Sequence, residues 1–172
     1  MLALVSDRTK MDTPAAVPSG SGTRRPPRHV TISWQPDTYR FVATGSSPHP
    51  IVLNAPRPEE LPPTGFSPAE LVLAGAGACS AWDVVDILSK GRESLVDIEV
   101  FVEGHQDATE PYPYREVTLR YVVTGRGLQR DKVERAVRLS HERYCSAIGS
   151  IRGVASVDYA IEIRDLGAEP GD

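Results

Sequence analysis

The sequence predicts an α+β domain, on three observations. Short alternating apolar runs occur at both ends of the chain, a long apolar helix opens on an N-terminal capping pattern, and an amphipathic second helix separates a hairpin from a final strand. The chain has 172 residues, enough for one domain with its own core and too few for two of ordinary size.

Residues 1–28, with "TPAAVPSGSGTRRPPR", are rich in Pro, Ser, Gly and Arg and lack periodicity, which predicts a flexible arm ahead of a domain over 29–166. Met11 is an alternative start within it. "HVTISW" and "YRFVATG" alternate as two short strands around the turn "QPDT", and "PIVLNAP" is a candidate third. The proline-rich "RPEELPPTG" is a loop of the kind that borders a site. Ser67-Pro68-Ala69-Glu70 then opens a helix, with Ser as cap, Pro in the first position and Glu as capping-box partner. This helix is expected to run to about Lys90 and stop at Gly91. Its residues Leu71, Val72, Ala74, Ala78, Trp82, Val85 and Leu88 are apolar on more than one face, so it should be central and mostly buried.

"DIEVFVEGHQ" and "REVTLRYVVTG" alternate like the arms of an antiparallel hairpin across "DATEPYPY". "LQRDKVERAVRLSHERYC" reads as one helix, with Val133, Ala136, Val137, Ser140 and Tyr144 on its apolar side and Cys145 at its end. "SAIGSIRG" is a short helix or turn, "ASVDYAIEIRD" a last strand, and 167–172 a disordered tail.

Net charge is −4, with Lys and Arg scattered among acids, so there is no basic stripe for nucleic acid or an anionic membrane surface. No apolar run in the sequence approaches the roughly 20 residues that span a bilayer, and "MLALVSDRTK" lacks the form of a secretory signal. These features predict a cytoplasmic protein, whose thiols stay reduced unless redox-active. Two cysteines cannot supply a four-ligand metal cluster, and His29, His49, His105 and His141 show no ligand spacing around them, so neither a metal nor another cofactor is expected.

The stretch "LAGAGACS" invites a nucleotide reading, with Gly75 and Gly77 as a dinucleotide fingerprint and Asp97 about 20 residues on. Ser80 stands where the third glycine belongs, and the capping box at Ser67 starts a helix where that motif needs a strand. Close packing is the better account. A glycine inside a helix costs about 0.5–1 kcal/mol relative to alanine, so two of them imply a backbone that another helix or subunit approaches. The cysteines divide two ways. Free Cys is among the most buried residue types and inert there, whereas thiol chemistry requires a positive neighbour for one sulfur and a second sulfur within reach. Glu70 fits a plain capping-box role, and Arg57 a solvated charge.

The motifs "GFSPAELVLAGAGACSAWDVVDIL" and "VERAVRLSHERYCSAIGSI", in this order and spacing, resemble the OsmC/Ohr superfamily of osmotically induced and organic-hydroperoxide-resistance proteins, over roughly residues 29–165. The resemblance implies an OsmC-like fold, with antiparallel sheets wrapped around two long central helices in an intertwined homodimer. It also implies thiol-dependent reduction of organic hydroperoxides. Cys79 matches the peroxidatic cysteine, Cys145 the resolving one, and Glu70 the acid that orients an arginine beside the reactive sulfur. Arg57 is the first choice for that arginine and Arg40 the second. The reductant would be a dithiol, of lipoyl or similar type. The alternative is an OsmC-like stress protein that binds a small molecule in an apolar dimer cleft without turning over peroxide.

Overall fold

The computed structural model describes residues 25–167, and the element order fits an α+β chain. The N-terminal meander consists of β1 (Thr31–Gln35), β2 (Arg40–Thr44) and β3 (Ile51–Asn54), paired antiparallel in the order β1-β2-β3. After the proline-rich loop come α1 (Pro68–Lys90), β4 (Ser94–Gln106), β5 (Tyr114–Arg126), α2 (Arg130–Leu139), α3 (Ser146–Ile151) and β6 (Ser156–Asp165). The expected arm and tail lie mostly outside the described residues.

The capping box forms as the sequence requires: Glu70 N–H donates to Ser67 Oγ at 3.2 Å, and Ser67 N–H donates to a Glu70 carboxylate oxygen at 2.7 Å. At the other end of α1 the left-handed residue is Arg92 (φ 56°), not Gly91 (φ −75°). Glu93 N–H reaches back to the Leu88 carbonyl and Arg92 N–H to that of Ser89, a Schellman closure one residue later than the glycine suggested. Glu93 then accepts from Lys132 Nζ at 2.7 Å and from the Gln129 N–H at 2.9 Å, joining the end of α1 to the start of α2.

The second sheet has the order β4-β5-β6. β4 and β5 form the expected hairpin, but β6 lies parallel to β5, so an all-antiparallel fold is corrected to one antiparallel and one mixed sheet. The reason is topological. Two helices intervene between β5 and β6, and such a crossover returns the chain in the original direction. On β5, Val117, Leu119, Tyr121 and Val123 point inward at every second position and meet Val84 and Leu88 of α1 and Val133 and Val137 of α2. Each such aliphatic side chain contributes about 1.5–3 kcal/mol by leaving water. On the outer face, Arg120 stacks over the Phe101 ring at 4.1 Å.

Two expectations for the helices change. In a single chain α1 is buried on one face only, at Ala76, Gly77, Ser80, Val84 and Leu88. Its opposite face is open, and Trp82 is 79% exposed. With 23 residues and a mean hydropathy of 1.6 over an 18-residue window, α1 is also long and apolar enough to cross a membrane by length and composition, which corrects the reading that no such run exists. In the single chain α1 packs on β4 and α2 along its buried face. The second helix is not continuous: α2 ends at Leu139, and Ser140–Tyr144 forms a turn of π-helix. The wider turn shifts the phase of the side chains. Tyr144, expected inside, is 51% exposed, while His141 is buried.

Candidate functional site

The two cysteines meet where α1 passes the start of α3. Cys79 lies in the middle of α1, and its Sγ is 3.9 Å from Ser146 Oγ. Cys145 is held in extended backbone between the π turn and α3, where its Sγ accepts the Ile148 N–H at 3.4 Å as the cap of that short helix. The sequence placed Cys79 correctly inside α1, whereas Cys145, expected at the end of one continuous helix, lies in extended backbone past the π turn.

The two thiols are driven in opposite directions. Desolvation opposes charge on Cys79, but hydrogen bonds from the Ala147 backbone and from the Cys145 and Ser146 side chains outweigh it, and the repulsion from Asp83, so its pKa falls below the usual thiol value. Burial pushes the Cys145 thiol up to about 11, and its proximity to Cys79 adds to the rise. The site therefore holds one thiol whose pKa is lowered beside one whose pKa is raised.

The expected charged partners stand elsewhere in the single chain. Glu70 is engaged by Ser67, whose backbone and side-chain hydrogen bonds lower its pKa. The Arg57 guanidinium binds Asn54 Oδ1 at 3.2 Å and the backbone carbonyls of Pro58 and Leu61. Arg40 donates to Gln35 Oε1 at 2.6 Å. Among the described residues, neither guanidinium has a recorded bond to Cys79 or Glu70. No group of three or more His, Cys, Asp or Glu side chains suited to a metal ion occurs among the described residues.

The surroundings of the thiols match a known pattern. The model of the family described as "OsmC-like protein" matches residues 58–160, a span that contains both cysteines and everything between them. The chain belongs to the OsmC-like family. Protein YhfA of Escherichia coli strain K12 is 37% identical over 123 residues, covering 72% of this chain and 89% of that protein. The crystal structure of an OsmC-like protein from Mycoplasma pneumoniae superposes with a TM-score of 0.70 at 17% identity, covering 82% of this chain and 99% of that one. An organic hydroperoxide resistance protein OsmC from Legionella pneumophila does so with a TM-score of 0.58 at 23% identity, covering 81% and 99%. At these identities the two structures establish the shared fold, and the family includes proteins named for organic hydroperoxide resistance.

What sequence reasoning missed in this OsmC-like chain is a buried polar network directly behind the thiols. Ser80 Oγ lies 2.5 Å from Tyr121 Oη and 2.8 Å from Ser140 Oγ. Ser140 Oγ donates to Asp83 Oδ2 at 2.9 Å, and Tyr121 Oη is 2.9 Å from His141 Nε2. Burial raises the Tyr121 pKa well above the usual phenol and lowers that of His141 to about 4, with Arg152 adding to the latter. Nδ1 of His141 is buried with no partner. The sequence did carry a signal: Ser80 and Ser140 each sit among the apolar positions of a helix, where a polar residue needs a buried partner.

Proposed function

We propose that this protein is a cytoplasmic, homodimeric thiol peroxidase that reduces organic hydroperoxides to alcohols in oxidative stress defence. The observation that carries the reading is the meeting of the two cysteines, with Cys79 Sγ 3.9 Å from the Ser146 hydroxyl beside Cys145, and it is supported by the opposite directions in which their pKa values move. Cys79 thiolate attacks the terminal oxygen of the hydroperoxide. The O–O bond breaks, the alkoxide takes up a proton and leaves as alcohol, and Cys79 becomes a sulfenic acid. The Cys145 sulfur then attacks the Cys79 sulfur, expelling water and forming the disulfide. A dithiol of lipoyl type, in solution or carried by a protein, restores both thiols by exchange.

Assembly supports the reading from a different direction. The N-terminal meander has little contact with the rest of its own chain beyond the bridge between Leu53 and Phe66, and it exposes Val30, Ile32, Trp34 and Ile51. The outer face of α1 carries an open groove of about 390 Å³ lined by Ala78, Ala81, Trp82 and Val85. A second copy of the chain would cover both surfaces, as the family resemblance implies. Arg57 would then turn from its loop carbonyls toward Cys79 in the assembled dimer, with Glu70 orienting it.

The test is intact-mass analysis after one equivalent of cumene hydroperoxide. Loss of two hydrogens, with Cys79 and Cys145 joined within one chain, is the expected result. Unchanged free thiols would reject peroxide chemistry. The loop-bound state of Arg57 favours a second reading, an OsmC-like protein that binds a small molecule in the dimer cleft without turnover. Rapid peroxide consumption in the presence of a dithiol would exclude that reading.

A further inference from the structure

Ser140 touches both sides of the thiol pair through different atoms. Its hydroxyl lies 2.8 Å from Ser80 Oγ and 2.9 Å from Asp83 Oδ2, the first adjacent to Cys79 in α1 and the second one turn beyond it. Its carbonyl accepts the Cys145 N–H at 2.9 Å, the hydrogen bond that closes the π turn. A π turn inserts an extra residue at a helix end, and such insertions recur at functional sites because they re-aim the side chain that follows. Here the residue that follows is Cys145.

The protons of the network have one consistent order. Asp83 as carboxylate only accepts, so the single Ser140 proton goes to it, and Ser80 donates to Ser140. Tyr121 then donates to Ser80, and His141 donates its Nε2 proton to Tyr121. That assignment leaves His141 Nδ1 a bare lone pair, in keeping with the one buried side-chain atom among the described residues that lacks a partner. A chain of bonds all running one way, and ending on a charge, is stiffer than its members alone.

We infer that Ser140 is a positioning residue for disulfide closure, clamping the turn that carries Cys145 against the helix that carries Cys79. The inference rests on the thiol reading above for its function, though not for its test. In the step concerned the Cys145 sulfur, having lost its proton, attacks the sulfenic sulfur of Cys79. The S–S bond forms, the S–O bond breaks, and hydroxide leaves with that proton as water. Ser140 touches none of the reacting atoms and acts only by holding the two sulfurs in register.

The experiment equilibrates the full-length protein with glutathione redox buffers and reads the equilibrium constant for the Cys79–Cys145 disulfide, a measurement that needs no peroxide. Ser140→Ala is expected to lower that constant at least tenfold, and Tyr121→Phe, which leaves the Ser140 bonds to Asp83 and to the Cys145 N–H in place, less than threefold. Sulfenic acid formation at Cys79, followed by dimedone trapping in a Cys145→Ser background, should change less than threefold with Ser140→Ala. An unchanged constant in Ser140→Ala, or an equal fall in Tyr121→Phe, would overturn the inference. If Ser140→Ala does not fold by circular dichroism, Ser80→Ala takes its place with the same thresholds. A parent protein that closes its disulfide in glutathione but ignores hydroperoxide would sink the peroxidase reading and leave this one standing.

Discussion

Cys79 and Cys145 are the same side chain in two environments, and the contrast between them carries the functional argument. Cys79 projects from α1 toward the start of α3, where donors from Ala147, Cys145 and Ser146 reach its sulfur. Cys145 is 5% exposed, and its own helix cap is its main polar contact. Desolvation acts against charge on both sulfurs, but Cys145 is the more deeply buried and only Cys79 receives enough donors to offset it, so the two end in opposite directions. Proximity alone would give two equivalent thiols. The difference in hydrogen bonding and burial separates them, and the proposed peroxidase reading builds on that separation.

The largest effect should come from removing either sulfur. Cys79→Ser is expected to cut dithiol-dependent hydroperoxide consumption by roughly 1,000-fold or more, because it removes the proposed nucleophile. Cys145→Ser should consume one equivalent and then stop, leaving a dimedone-reactive sulfenic acid on Cys79. Equal losses with no trapped intermediate would erase the distinction between the two.

A second test concerns the buried side that Cys145 shares with His141. In the folded chain the His141 pKa is about 4 against an ordinary value of 6.5, so the unfolded state binds more protons between those values. Stability should therefore be full above about pH 6.5 and fall on acidification toward pH 4. At about 1.4 kcal/mol per pKa unit the loss is on the order of 3 kcal/mol. Urea unfolding at successive pH values measures it, and His141→Gln should flatten the dependence.

Alkylation sharpens the contrast directly. Iodoacetamide followed by mass mapping should label Cys79 at neutral pH, with a rate that levels off at lower pH than for an ordinary thiol. Cys145, titrating near 11, should react about 100-fold more slowly at pH 8 than a thiol of ordinary pKa 9, in proportion to its thiolate fraction. Matching rates for the two would contradict the assignment.

The smallest effects concern the glycines around Cys79. A Cβ at position 77 would stand 2.7 Å from Val102 Cγ2, so Gly77→Ala should destabilise by about 1–3 kcal/mol in thermal melts. At position 75 nothing lies within 4 Å in the single chain. There alanine should stabilise the isolated helix by about 0.5–1 kcal/mol. If a second copy packs on that face, the same change should weaken the proposed dimer, read by sedimentation equilibrium or light scattering against concentration.

The glycine pair illustrates how far the sequence reached. Both glycines signalled a close approach, and the structure supplies one for Gly77, against β4, while Gly75 faces outward beside Ala78 and Trp82. A sequence states that a helix face is small and apolar without stating what lies against it.

Local chemistry was legible where it depends on neighbours in the chain. The capping box at Ser67 and Glu70, the extent of α1, the hairpin of β4 and β5 and the position of Cys79 inside α1 follow from short-range patterns of polarity and hydrogen bonding. The family too was readable from the two cysteine motifs. What the chain alone could not supply depends on residues far apart in sequence. The parallel pairing of β6, the π turn that buries His141 and exposes Tyr144, and the bonds from Ser140 to Ser80 and Asp83 are examples. Periodicity assumes 3.6 residues per turn, and a turn of different pitch breaks that assumption. Burial and hydrogen-bond partners likewise set the direction in which each thiol titrates, and both are properties of the packed chain. The sequence determined that one cysteine would lie inside a long helix and the other close to the end of the second, and tertiary packing decided in which direction each thiol's pKa moves.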